Sequence, residues 1–373
     1  MSIKKMKWLI LLIAFQNINA QSISKLKFIN EYTIPYNFQF KNTTVGGLSG
    51  IDYDAKKNVY YMISDDRSAI NPARFYTAKI HFTQKGIDSV EFVNVTTLLQ
   101  KNGKPYPNNL QDKFHVPDPE ALRLNVATNQ FIWSSEGERK IRATDTILEN
   151  PAVTIISKNG KYIDTFALPK NLLMQATEKG PRVNGVFEGL TFANNYKTLY
   201  VSVEEPLYED AERADVYDND AYIRILKFNT ATKKCIAQYA YKLDPVAHPA
   251  IPENAYKVNG IPDILYIGNN KMLVMERSFS TGNMACTIKV FETDLNNASN
   301  IINNKGMKTD KNFIPATKKL LFNFDDLGIY IDNVEGVTFG PILPNGHKTL
   351  LFVVDNNFSP LEKTQFFLFE IIP

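Results

Sequence analysis

Five times along the chain a short opening such as Glu-Gly-Leu leads into an apolar strand, a turn, and a second apolar strand that ends on an acid. The openings are Gly47-Leu48-Ser49-Gly50-Ile51, Pro119-Glu120-Ala121-Leu122, Phe187-Glu188-Gly189-Leu190, Ile261-Pro262-Asp263-Ile264 and Val334-Glu335-Gly336-Val337. The endings are Ser64-Asp65-Asp66-Arg67, Ser135-Glu136, Val203-Glu204-Glu205, Met275-Glu276-Arg277 and Val354-Asp355-Asn356-Asn357. Copies recur at about 70 residues, which is the sequence signature of a ring or array of like units. Alternation of Val, Ile, Tyr and Phe with polar residues, broken by turn residues, predicts four short strands per unit.

The first unit reads as Leu48–Tyr53, Val59–Ser64, Arg74–Phe82 and Asp88–Leu99; the second as Glu120–Asn125, Gln130–Glu136, Ala152–Ser157 and Tyr162–Leu168. The third reads as Glu188–Phe192, Thr198–Glu204, Ala221–Phe228 and Cys235–Leu243; the fourth as Asp263–Ile267, Met272–Arg277, Cys286–Glu292 and Lys318–Phe324. The fifth has only Glu335–Phe339, Thr349–Asp355 and Thr364–Ile371. Lys25–Thr33 is a spare strand that would complete it and so remove an open edge. The expected fold is all-β, a propeller of four-stranded antiparallel blades closed by the N-terminal strand. Five blades are counted, or six if one strand group is hidden.

Loop lengths assign the faces. Turns from first to second strand are tight, whereas second-to-third connections and links between units are long and should emerge together on one face. Thr293–Thr317 is the exception, an Asn- and Lys-rich link on the other face that reads as a solvated excursion. In an antiparallel hairpin the start of one strand lies beside the end of its partner. Glu120 is therefore expected near Glu136, Glu188 near Glu204, Asp263 near Glu276 and Glu335 near Asp355, at the mouth of the central channel.

Convergent carboxylates raise one another's pKa unless a cation or arginine compensates. Calcium suits such a set because it accepts six to eight flexible oxygens. Asp66, Glu136, Glu204, Glu205, Glu276, Glu335 and Asp355 are the candidate metal ligands, and Asp65, Glu120 and Glu188 are candidates for catalysis. The competing reading has each acid capping a turn or pairing with the next blade. Arginines number nine against 33 lysines, and Arg67, Arg139 and Arg277 follow acids at second-strand ends. Their planar fork matches phosphate oxygens, which would make the three anion-binding residues; neutralising neighbouring acids is the alternative. The loop carrying Glu209, Asp210, Glu212, Asp215, Asp218 and Asp220 reads as a solvated charge run. Gly47-Leu48-Ser49-Gly50 fails as a nucleophile elbow because Ile51 stands where a glycine is required.

Lys4, Lys5 and Lys7, then the apolar run 8–15, then Ala20, have the order of a secretory signal peptide over residues 1–20, leaving one domain over 21–373. No stretch of the mature chain is long enough for a membrane helix. The full chain carries 42 basic and 39 acidic residues; without the three leader lysines the balance is neutral. A neutral chain lacks the field that nucleic acid requires, so a small anionic substrate and a monomeric, secreted protein (periplasmic or extracellular) are expected. Cys235 and Cys286 are the only cysteines and come from neighbouring units; the sequence leaves a disulfide and two separate thiols open.

In combination and order, Gly46-Gly47-Leu48-Ser49-Gly50, Ser64-Asp65-Asp66-Arg67, Pro117-Asp118-Pro119-Glu120, Ser134-Ser135-Glu136, Asn184-Gly185-Val186-Phe187-Glu188-Gly189-Leu190 and Asn333-Val334-Glu335-Gly336 resemble the phytase-like family described as "esterase-like activity of phytase". That resemblance implies a secreted propeller with phosphoester or ester hydrolysis. The expectation from the whole sequence is calcium-assisted phosphoester hydrolysis at the channel mouth. The other class of function is a non-catalytic propeller that binds a ligand through the same acidic face.

Overall fold

The structure, a computed structural model, describes residues 23–373; the proposed signal peptide lies outside them. Five four-stranded antiparallel blades form a ring with almost no helix, so the chain is a five-bladed β-propeller. Inner strands are Leu48–Asp54, Pro119–Asn125, Phe187–Ala193, Ile264–Gly268 and Asn333–Phe339. Each pairs with the next strand in sequence: Val59–Ser64, Gln130–Ser135, Thr198–Val203, Lys271–Ser280 and Thr349–Asp355.

These second strands are apolar at nearly every position because both faces of a blade are covered. In blade one, Tyr60 and Met62 face blade five, while Tyr61 and Ile63 face blade two. The same alternation produces five hydrophobic clusters, one at each blade interface. Aromatic pairs fill the widest gaps; Tyr61 and Phe131 meet edge to face across the first interface at 4.6 Å. Truncating such a fully buried phenylalanine costs about 3–5 kcal/mol.

Blade five is completed from the other end of the chain. Lys25–Ile34 pairs antiparallel with Thr364–Ile372, in register from Lys25↔Ile372 to Ile34↔Thr364 with one bulge between Phe28 and Asn30. Three short elements were not anticipated, one of them a small hairpin of Gln39–Phe40 and Thr43–Thr44. Glu138–Ile141 and Thr146–Glu149 form a hairpin within the long second connection of blade two, and Lys257–Gly260 extends the inner edge of blade four.

The link between Thr293 and Thr317 departs from the expected solvated excursion. Ile301 and Met307 are buried against Ala240. Ile301 N–H donates to Gln238 O at 2.8 Å and Ala316 N–H to Ala240 O at 2.8 Å. Arg224, buried in blade three, donates to the Asn304 carbonyl and grips Asp210 at 2.6 and 2.7 Å. Of the acidic loop's carboxylates only Asp210 is buried; Glu212, Asp218 and Asp220 are solvent-exposed, as expected, in surface pairs with Lys308 and Lys242. Both cysteines are free thiols.

Candidate functional site

The site is built by β-bulges at the start of the inner strands. In blade two the register slips between Pro119↔Ser135 and Leu122↔Trp133, so Glu120 and Ala121 share the space opposite Ser134. Blade three repeats this with Glu188 and Gly189 opposite Ser202, and blade five has Glu335 as the extra residue. A bulge re-aims a side chain that a regular strand would turn sideways. Here it sends the glutamate into the channel mouth. Serines fix the irregularity: Ser134 Oγ accepts from Ala121 N–H at 3.0 Å, and Ser202 Oγ from Gly189 N–H at 3.1 Å. Gly189 follows its glutamate because a Cβ there would lie 2.7 Å from the Ile264 nitrogen of the next blade. In blade one the slip falls on Ser49, whose buried hydroxyl donates to Glu120 O at 2.6 Å.

Three carboxylate triads result, each able to bring one oxygen per residue within 4.8 Å of the others: Asp65, Glu335 and Asp355; Asp118, Glu120 and Glu136; Glu136, Glu188 and Glu204. Glu136 belongs to two of them. The expected proximities of Glu120 with Glu136, Glu188 with Glu204 and Glu335 with Asp355 are all present. Burial, then repulsion from neighbouring carboxylates, pushes Asp65, Glu120, Glu136 and Glu188 well above the usual carboxylate range. Burial also takes Asp118 to about 7, against the pull of Arg67. Glu120 and Glu188, more than nine-tenths buried, accept no side-chain hydrogen bond from the described residues.

Just past the ends of the second strands, one of two adjacent acids reaches the mouth. Asp65 and Glu204 do, and their neighbours turn away. Asp66 accepts the N–H groups of Ala69, Ile70 and Asn71 and pairs with buried Arg74 at 2.7 Å. Glu205 pairs with Arg213, and its buried Oε1 has no hydrogen-bond partner among the described residues. In blade four Arg277 takes the mouth position, so Glu276 faces the blade interface, bound by the Tyr241 hydroxyl, Asn259 and Lys318. Asp66, Glu205 and Glu276 are therefore outside the triads, and the expected Asp263–Glu276 pairing does not form. Asp118 joins the triads although it was not among the nominated ligands. Its position in Asp118-Pro119-Glu120, two residues from a channel glutamate, was the available signal.

The arginines divide similarly. Arg277 spans the ring, bonded to Glu204 at 2.5 Å, Glu335 at 3.2 Å and Asn333 at 2.6 Å. Burial works against its charge and the two glutamates outweigh that. Arg67 sits on the rim with Asp118 at 3.2 Å and Glu138 at 2.9 Å. Arg139 is elsewhere: it donates to the carbonyls of Gln175, Ala176 and Thr177 and lies over the Tyr208 ring. No ring carboxylate is among its partners.

Below the acids the channel is closed by Arg123. From the inner strand of blade two its guanidinium donates to Leu190 O of blade three at 2.6 Å, Val337 O of blade five at 3.1 Å, Ile264 O of blade four at 3.3 Å, and Ile51 O of blade one. It also pairs with Asp263 at 2.6 Å. One side chain thus ties together the inner strands of all five blades. Burial holds Asp263 at about 6, with Arg123 pulling the other way.

Among solved structures the chain is similar to an endo-arabinase from Bacteroides thetaiotaomicron VPI-5482, at 12% identity, 92% of this chain, 97% of that chain and a TM-score of 0.43. The periplasmic gluconolactonase of Pseudomonas aeruginosa aligns at 8% identity over 94% of this chain and 97% of its own, with a TM-score of 0.38. Likeness of this degree bears on neither substrate nor mechanism. No curated protein sequence matches the chain. The family comparison is specific: the profile of the phytase-like family, described as esterase-like activity of phytase, matches residues 43–358. With bulged carboxylate hairpins repeated around one mouth and that match over most of its length, the chain belongs to the phytase-like family.

Proposed function

We propose that the protein is a secreted hydrolase that cleaves phosphoesters at the acidic mouth with the help of calcium. The observation that carries this is the donor set itself: three carboxylate triads, all buried but for half-buried Asp65, in which the Glu120 and Glu188 carboxylates have no hydrogen-bond partner among the described residues. Eight triad carboxylates face two nearby arginines, so the mouth bears an excess of negative charge. Such a field repels a phosphoester unless cations intervene. Hard carboxylate oxygens in this number suit calcium. Asp118, Glu120, Glu136, Glu188 and Glu204 would hold one or two ions, and Asp65, Glu335 and Asp355 another. A bound ion would supply Lewis-acid polarisation of a phosphoryl oxygen and an activated water.

The protein's own residues set the frame. Glu136 is fixed by the Val186 N–H and keeps two triads in one register. Arg277 bridges Glu204 and Glu335, and its buried Nε has no hydrogen-bond partner among the described residues. The long loops around the mouth would shape substrate access.

The test is turnover of 4-nitrophenyl phosphate, phytate and 4-nitrophenyl acetate, with and without chelation. Loss of phosphoester turnover on chelation, its return with calcium, and its absence in Glu120→Gln and Glu188→Gln would support the proposal. If neither ester class is cleaved with any divalent ion, the protein is a ligand-binding propeller and the proposal fails.

A further inference from the structure

Beneath Arg123, on the face opposite the acids, the channel widens into a cavity of about 600 Å³. That volume is within the range of small-molecule sites, roughly 300–1,000 Å³. Its chemistry differs from the mouth in every respect that selects a ligand. Aromatic side chains from four blades line it, Tyr53, Phe192, Tyr196, Tyr266 and Phe339, and they alternate with hydroxyl and amide groups. Phe192 and Tyr196 are braced edge to face at 5.2 Å, and Tyr266 stacks on Tyr200 at 6.1 Å. The aromatic wall is therefore held in place without a ligand.

The charges in the lining cancel. Arg123 is matched by Asp263. Asp52 and Lys348 are opposite in sign, and neither has an ion-pair partner among the described residues. One Asp52 oxygen accepts the Leu124 N–H at 2.7 Å, and the Lys348 ammonium lies 5.9 Å from the Phe339 ring. A carboxylate disfavours an anionic guest, and the lysine and the Arg123 floor disfavour a cationic one. Thr338 and Asn195 also line the cavity, and their side chains make no hydrogen bond to the described residues. A purely apolar guest would desolvate those groups and both charges without offering them hydrogen-bond partners, which works against its binding.

We propose that this cavity binds a neutral carbohydrate, a mono- or disaccharide whose ring face lies on the aromatic wall and whose hydroxyls bond to Asp52, Lys348 and Thr338. Arg123 and Asp263 separate this site from the acidic mouth, so sugar binding stands independently of the hydrolase proposal.

The experiment is calorimetry and saturation-transfer NMR on the mature chain with glucose, galactose, xylose, arabinose, cellobiose and lactose as probes. At least one should bind. Tyr196→Leu, which keeps contact with Phe192, and Asp52→Asn, which keeps an acceptor for Leu124, should each weaken it by up to about tenfold. Glu188→Gln should leave sugar affinity unchanged, and melting temperatures should show that all three variants fold. The proposal is overturned if no probe binds, if benzyltrimethylammonium binds in their place, if binding survives both cavity variants unweakened, or if it is lost in Glu188→Gln.

Discussion

Replacing Arg123 by methionine removes the one group that contacts the inner strands of all five blades. The substitution keeps an unbranched apolar stem, so the loss is confined to the guanidinium. Asp263, 1 % exposed, is left as a buried charge without its counterion, which costs about 3–5 kcal/mol. Four backbone carbonyls also lose a donor, and each would add about 1–3 kcal/mol if it stayed dry. The cavity below adjoins Arg123, so water can enter and resatisfy them. The ion-pair figure is therefore the expected net loss, and it is a large share of a typical domain stability of about 5–15 kcal/mol. Urea unfolding followed by the fluorescence of buried Trp133 measures it. Adding Asp263→Asn to Arg123→Met removes the stranded charge and should recover part of the loss. A single variant within about 1 kcal/mol of wild type, or a double variant no more stable than the single, would refute the role assigned to this hub.

Glu149 sits beside Asp118, Glu138, Asp112 and Arg67, and burial pushes it up to about 8 with one oxygen unpartnered. The native state thus holds its proton where the unfolded state has lost it. The contribution to stability is full below the ordinary glutamate pKa and is lost as pH rises through about 8. Glu149→Gln should be near neutral at pH 5 and stabilising on the order of 1 kcal/mol above pH 8, allowing for solvent screening; equal melting curves at both pH values would contradict this. Removing residues through Ile34 exposes the Thr364–Ile372 edge and uncovers the core that Leu26 and Ile34 bury, so soluble yield should collapse; a monomeric truncation with an unchanged melting temperature would show that closure is dispensable. If the mouth is catalytic, Arg277→Lys should lower turnover while the fold survives, because lysine cannot span Glu204 and Glu335 together. Arg139→Lys should leave turnover intact, and an equal effect of the two substitutions would reject the distinction drawn between them.

The strands were legible because most are short β-branched and aromatic runs bounded by turn residues, and the hairpin rule then brought three of the four expected acid pairs together. What the sequence hid is what depends on one-residue shifts. Asp65-Asp66 and Glu204-Glu205 read as equivalent pairs, yet only one member of each joins a triad, while the other is bound by an arginine away from the channel. Glu276 was lost in the same way, displaced by Arg277 at the next position. The excursion between Thr293 and Thr317 misled because its composition is polar, while its docking relies on backbone groups and on just two buried apolar residues, Ile301 and Met307. Arg123 gave the weakest signal of all. Leu122-Arg123-Leu124 reads as a strand with one polar face, and no local feature says that this face is the axis of a closed ring.

Ring closure also explains why the fate of the arginines could not be read in advance. Arg277 belongs to blade four, but its partners Glu204 and Glu335 come from blades three and five, 73 and 58 residues away in sequence. Arg67 of blade one likewise pairs with Asp118 and Glu138 of blade two. Each arginine at the mouth bridges to a neighbouring blade, so its function depends on which blades are adjacent and on the direction of the bulges. Two such bridges cannot neutralise eight carboxylates. Burial first and mutual repulsion second push Glu120, Glu136 and Glu188 above the ordinary carboxylate range, and the arginines at the mouth do not offset it. A fold that keeps eight carboxylates from four blades at one mouth bears a standing electrostatic cost, and a bound cation there would offset it.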